Sequence, residues 1–115
     1  MGMTDRGRQA VGLLQGTLDM MILQTLQWGP QHGHGIGLAI RVNSDDELRI
    51  ERGSLYPALH RLERKHWIAA QWKITAHNQR ARYYRLTPAG KRQLVVEASR
   101  WKRLVQAIAR VMRPA

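Results

Sequence analysis

The 115-residue sequence predicts a mainly α chain with a small β-hairpin, a winged helix-turn-helix followed by a long C-terminal dimerisation helix. Three observations carry that expectation. In the segment Arg52 to Trp67, Leu55, Ala58, Leu59 and Leu62 fall at i, i+3, i+4 and i+7, one apolar stripe on a short helix. The opposite side of that helix carries Tyr56, Pro57, His60, Arg61 and Arg64. Directly afterwards Ile68 to Thr75 alternates, a polar gap follows, and Arg82 to Thr87 supplies a second strand. Last, Leu94, Ala98, Trp101, Val105, Ile108 and Met112 are spaced 4, 3, 4, 3, 4, a heptad seam in place of a broad core face.

The elements follow in order. Residues 1–14 read as a flexible N-terminal arm interrupted by Gly2, Gly7 and Gly12, residues 15–87 as the winged helix-turn-helix domain, and residues 88–115 as the C-terminal helix. A first helix is expected from Thr17, a reasonable N-cap, to Gln27, with Leu18, Met21, Ile22, Thr25 and Leu26 on one face. Trp28-Gly-Pro30 ends it. A second helix is expected from Gly35 to about Val42, with Ile36, Ala39 and Ile40 inward, then a polar turn at Asn43-Ser-Asp-Asp46. The third helix is placed at 53–66, with Ser54 as its cap, because Pro57 belongs in a first turn. In the hairpin, Ile68, Ala70, Trp72 and Ile74 share a face with Tyr84 and Leu86, and Lys73, Arg82 and either Tyr83 or Arg85 are expected outward or toward a partner. Thr87-Pro-Ala-Gly90 caps the last helix, which should run to about Met112, with Leu104 and Val111 widening its seam.

Charge narrows the function classes. The net charge is +11, and it is one-sided. Residues 1–60 hold five Lys/Arg against six acids, a net of −1, while residues 61–115 hold fourteen against Glu63 and Glu97, a net of +12. That excess after the middle of the third helix favours a polyanionic partner, since cations that neutralise phosphates release counterions. There is no cysteine, so disulfides and thiolate metal sites are excluded. No N-terminal apolar run is long enough for a signal peptide or a membrane span, which fits a reduced, cytoplasmic compartment. Enzyme chemistry finds no support: there is no Cys nucleophile, no acid pair in an apolar setting, no Walker loop and no zincin motif. No cofactor is implied. His32 and His34 lie close together, but a metal site needs three or four converging ligands, and capping or packing is the commoner role at a turn into a helix.

These features make double-stranded DNA the expected partner, with helix 53–66 in the major groove and the 73–82 wing on the adjacent groove or backbone. Ser54, Tyr56, Pro57, His60, Arg61 and Arg64 are the candidate contacts on the helix, and Lys73, Arg80 and Arg82 those on the wing. Arg82 has a second reading as a cross-strand brace. Leu94, Ala98, Trp101, Val105, Ile108 and Met112 are the candidate dimerisation residues. The alternative from another class is a protein-interaction module that docks its basic C-terminal helix onto an acidic partner.

The chain resembles the PadR family of bacterial transcriptional regulators, in the short form with a single C-terminal dimerisation helix. The resemblance rests on Leu14-Gln-Gly-Thr-Leu-Asp19, His32-Gly-His-Gly-Ile36, Glu51 to Glu63 with its Gly-Ser-Leu-Tyr-Pro-Ala-Leu core, and Asn78 to Gly90 with Tyr-Tyr-Arg-Leu-Thr-Pro-Ala-Gly. It covers nearly everything from Leu13 onward. It implies a homodimeric repressor of nearby genes on a roughly palindromic operator, with Ser54, Tyr56 and Pro57 at the DNA-facing start of the recognition helix. It also suggests that Trp101 and its symmetry mate could flank a flat aromatic effector. Two positions depart from the family pattern: His34 stands where tyrosine is common, and His66 where a small or polar turn residue is frequent.

Overall fold

Apolar periodicity and side-chain helix caps at His32 and Thr87 build the observed architecture. The computed structural model describes residues 16–114. The arm expected at 1–14 and its boundary therefore lie outside the described residues. In chain order the elements are helix α1 (residues 16–27), strand β1 (Gln31–His32), helix α2 (Gly33–Asn43), helix α3 (Arg52–Arg64), strands β2 (Ile68–Ile74) and β3 (Arg80–Leu86), and helix α4 (Pro88–Val111).

α1 already includes Gly16, so Thr17 stands within the helix and not at its cap. Leu18, Ile22, Leu23 and Leu26 of α1 meet Ile36 and Ile40 of α2 and the Leu55, Ala58, Leu59, Leu62 stripe of α3. Ile68, Tyr84 and Leu94 close this single core from the sheet and from the start of α4. Thr25 is buried among them and donates its hydroxyl to the Met21 carbonyl at 2.9 Å, which satisfies it within its own helix.

β3 is the middle strand of a three-stranded antiparallel sheet in the order β1-β3-β2. β1 is the element the sequence expectation omits. It pairs Gln31 with Tyr84 and His32 with Tyr83, and two residues are too few to show an alternation. His32 then caps α2: its Nδ1 accepts the Gly35 N–H at 3.0 Å. α2 accordingly starts two residues earlier than expected.

α3 also begins early, at Arg52, with Glu51 as N-cap and no side-chain cap bond. The Ser54 N–H bonds the Glu51 carbonyl at 3.0 Å, so Ser54 is inside the first turn and does not cap the helix. Pro57 consequently falls in the second turn, where its missing N–H leaves the Gly53 carbonyl without the usual i→i−4 donor. Both residues are exposed, so water can take that bond. The loop before α3 is pinned by Asp46, whose carboxylate is bonded by Arg41 and by Arg49 Nη2 (2.6 Å). Those two guanidinium groups, Arg41 first, hold the Asp46 carboxyl below its ordinary range.

The end of α3 is a Schellman turn. Trp67 N–H reaches the Leu62 carbonyl at 3.1 Å, His66 N–H reaches Glu63 at 3.0 Å, and His66 sits at φ 61°. That left-handed backbone is the physical reason for a small or polar residue at this position, and histidine tolerates it less well than glycine. α4 is joined directly to this turn. Thr87 donates its hydroxyl to the His66 carbonyl at 2.7 Å and accepts the Gly90 N–H at 3.0 Å, and its own N–H bonds Trp67 at 3.1 Å. Gly90 is buried against the Trp67 carbonyl so closely that a Cβ would overlap the oxygen.

Past Leu94, no described residue of α4 is buried. Leu94 is buried in the chain's own core, which removes it from the solvent-facing seam expected to bind a second copy. Ala98, Trp101, Val105, Ile108 and Met112 are exposed, as are Leu104 and Val111.

Gly90→Ala should lower folding stability by about 3 kcal/mol, because a backbone oxygen cannot rotate aside as a side chain can. Urea unfolding of the two proteins measures this. A difference below about 1 kcal/mol would mean that the contact relaxes at little cost.

Candidate nucleic-acid interface

On α3 the residues opposite the core stripe are Gly53, Pro57, His60 and Arg64, all exposed, at successive intervals of 4, 3 and 4. Ser54 is also exposed at one margin. Each margin of this strip is tied to a neighbouring element. On one side, Arg61 Nη2 donates to Asp19 Oδ1 of α1 at 2.8 Å, with both side chains mostly buried. On the other, Arg82 Nη2 of β3 donates to Glu63 Oε2 at 2.6 Å. Burial pushes the Asp19 carboxyl up from its ordinary value, and the Arg61 hydrogen bond offsets part of that rise.

Tyr56 is half-buried on the Glu63 side. Its hydroxyl end lies against Gly33 at the start of α2, where a Cβ would come within 2.8 Å of the oxygen. Arg52 lies over its ring at 5.7 Å from the centroid. Gly33 is thus required by the close approach of the ring. Tyr56 sets the spacing between α2 and α3 as well as standing at the rim of the exposed strip.

The hairpin register pairs Ile68 with Leu86, Ala70 with Tyr84, Trp72 with Arg82 and Ile74 with Arg80. Partners across an antiparallel pair point to one face, so Arg82 is on the inner face with Tyr84 and Trp72, and the expectation that it faces outward with Lys73 is corrected by strand parity. Its guanidinium sits 5.9 Å from the Tyr84 ring centroid while it bonds Glu63. The Tyr84 hydroxyl is itself pushed upward in pKa by burial. Lys73 does face outward, 5.4 Å from the Tyr83 ring centroid. Tyr83 in turn meets the edge of His32 at 5.2 Å. Arg80 is exposed beside the turn, over Trp72 at 4.7 Å. The turn is organised by Thr75, whose hydroxyl accepts the Gln79 N–H at 3.2 Å, and by Asn78 at φ 58°.

Of the sequence-expected contacts, Ser54, Pro57, His60, Arg64, Lys73 and Arg80 are on exposed surface of α3 and the wing. Arg61 and Arg82 are engaged in the frame, and Tyr56 is shared between frame and surface. Asp19 and Glu63, the acids that hold the two arginines, were not singled out from sequence. Glu63 had a visible signal, being one of only two acids after residue 60. Asp19 had none, since an acid in a first helical turn is ordinary. His34 is exposed, its ring stacked 6.2 Å from His32. Among the described residues no group of three His, Asp or Glu is arranged to hold a metal ion. Trp101, 46% exposed, borders an open groove of about 780 Å³ with Leu18, Met20 and Met21 of α1, Ile50, and Ser54 and Pro57 of α3. No helix among the described residues is long and apolar enough to cross a membrane.

A braced helix with an exposed polar strip, followed by a basic hairpin, defines the winged helix class of DNA-binding folds. Within that class the chain belongs to the transcriptional regulator PadR-like family, whose model matches residues 22–96. It is similar to a transcriptional regulator from Clostridium thermocellum, at 27% identity and a TM-score of 0.81, over 89% of this chain and 99% of that one. It is also similar to a PadR family transcriptional regulator from Eggerthella lenta, at 28% identity and a TM-score of 0.74, over 100% of this chain and 99% of that one. An uncharacterised protein of Lysinibacillus sphaericus is 27% identical over 96 residues, 84% of this chain and 88% of that protein. The chain is a DNA-binding regulator of this family and not an enzyme.

The frame role of Arg61 can be separated from DNA contact. Arg61→Ala should destabilise the fold by about 1–2 kcal/mol, below the range for a fully buried pair because both groups keep some solvent. Asp19→Ala should have a similar effect, and the double variant should lose no more than either alone. Additive losses in chemical denaturation would show that the two groups are not coupled.

Proposed function

We propose that the protein is a homodimeric repressor that places α3 in the major groove of a roughly palindromic operator and its wing on the neighbouring groove or backbone. The observation that carries this reading is the exposed strip Gly53, Pro57, His60, Arg64, bounded by two ion pairs and adjoined by the basic wing. Ser54, His60 and Arg64 supply hydrogen-bonding groups for base edges and phosphates, and Lys73 and Arg80 supply phosphate charge from the wing. Tyr56 contributes from the rim. Arg61 and Arg82 act indirectly, by holding the helix that carries the others.

A second copy is the natural occupant of the exposed seam on α4. Trp101, Val105 and Ile108 leave large apolar surfaces in water at heptad positions, and a helix of 24 residues extending from so small a core has little else to bury them. Two protomers related by a two-fold axis would present two α3 helices, which is why a palindromic site is expected. Repression follows if such a dimer overlaps a promoter.

The test is selection of duplexes from a random pool, then titration of the selected site at two salt concentrations. His60→Ala and Arg64→Ala should each weaken binding by about tenfold, and Arg64→Ala should reduce the salt slope by about 1 if it contacts a phosphate. Unchanged affinity in both variants would remove α3 as the reading element. Ile108→Asp should sediment as a monomer and lose operator affinity, because one half-site alone holds the protein weakly. An Ile108→Asp protein that remains a dimer would place the interface elsewhere.

A further inference from the structure

The two faces of the wing change character along its length. At the base, the inner-face pairs Ile68–Leu86 and Ala70–Tyr84 lie at the core. One step further Trp72, 55% exposed, pairs with Arg82, which is tied to Glu63, and beyond them the same face carries Ile74, 65% exposed. An indole and an isoleucine held in water at the end of a hairpin are surface that a domain of this size does not need for its own core. Arg80, the cross-strand partner of Ile74, lays its guanidinium over the indole at 4.7 Å. Among the described residues no carboxylate is paired with Arg80, whereas Arg61, Arg82, Arg41, Arg49 and Arg100 each have one.

We propose that Trp72 is a positioning residue: its ring fixes the Arg80 guanidinium on the inner face of the wing, and from there Arg80, with Ile74 beside it, enters the minor groove of double-stranded DNA flanking the α3 site. This rests on the reading under Proposed function and adds to it the residue that orients the wing contact. The occupant follows from chemistry. The minor groove is walled by apolar deoxyribose faces, which suit Ile74, and it holds negative potential, which suits the Arg80 guanidinium that Trp72 orients. That potential is strongest where the groove is narrow, at runs of A·T pairs. An acidic protein surface would match the charge but would offer no reason for the apolar flanks.

Pre-orientation matters because arginine has four soft side-chain torsions and loses that freedom on binding. A guanidinium already stacked on a ring has given up part of it before DNA arrives. Arg82, two residues away, illustrates the contrast: its carboxylate partner commits it to the frame.

The experiment uses the full chain and the duplex selected above, with A·T flanks. Trp72→Ala and Arg80→Ala should each weaken binding by about two- to fivefold, the range of a stacked cation on an exposed ring. The double variant should be no weaker than Arg80→Ala, and Trp72→Phe should bind like the parent protein. Replacing flank adenines with 2,6-diaminopurine adds a minor-groove amino group and leaves the major-groove edge in place. That replacement should weaken the parent protein more than Trp72→Ala. Matching thermal unfolding of the variants shows that the fold is intact. The proposal is overturned if Trp72→Ala binds as the parent does, if the two single effects multiply, or if diaminopurine affects parent and variant alike. A pool that yields no selected site overturns the regulator reading and this proposal together. A site that depends on His60 and Arg64 but not on Trp72 overturns this proposal alone.

Discussion

The rotation of α3 about its own axis is the constraint on which the rest depends. Its apolar stripe fixes how deep the helix sits, but a single stripe resists rolling only weakly. With a side-chain radius of roughly 5–6 Å, a roll of about 20° would carry the exposed atoms by roughly 2 Å, enough to break hydrogen bonds to a base edge. Arg61–Asp19 and Glu63–Arg82 act on opposite margins of the helix, so a roll in either direction stretches one of them. α1 and the wing are therefore parts of the reading apparatus, although each also encloses the core.

This arrangement divides the positive charge into two populations. Some cations neutralise carboxylates of the same chain and fix geometry, Arg61 and Arg82 at partly buried acids and Arg41 and Arg49 at the exposed Asp46. Others, including Arg64, Lys73 and Arg80, stand on the outer surface beside rings or in water. Net charge alone does not distinguish the two. A count of basic residues overstates how many phosphates the protein can neutralise, and the acids placed among the bases decide which cations are available.

The fold was legible wherever periodicity ran for more than two turns or three strand residues. The α3 stripe, the shared face of Ile68, Ala70 and Tyr84, and the Thr87-Pro88 helix start are properties of the local sequence. β1 was not legible, because a two-residue strand exists only through its pairing with β3. The start of α3 is not legible from Pro57, because solvent access at Gly53 permits the proline in the second turn as well as the first. At the site, the exposed strip follows from helix geometry alone. The braces do not, since Asp19 and Arg61 are 42 residues apart and nothing local announces the pair. Arg82 was open to a reading from strand parity, which places it beside Tyr84 without any knowledge of Glu63.

The short joint between α3 and α4 has a metrical consequence. Four groups close it: the left-handed His66, the Trp67 carbonyl, the Thr87 hydroxyl and the bare Cα of Gly90. The hairpin that separates the two helices in sequence returns its end to this joint, where Thr87 bonds His66 and Trp67 directly, so the start of α4 is held against the end of α3. Over a helix of 24 residues, roughly 36 Å long, a change of about 10° at the joint would move the far end by about 6 Å. In the proposed dimer that displacement translates into the distance between two reading helices. The span between operator half-sites would then be a quantity stored at residues 66, 67, 87 and 90, none of which reads a base. Descendants of this chain could change the length of the site they recognise while keeping the letters within each half.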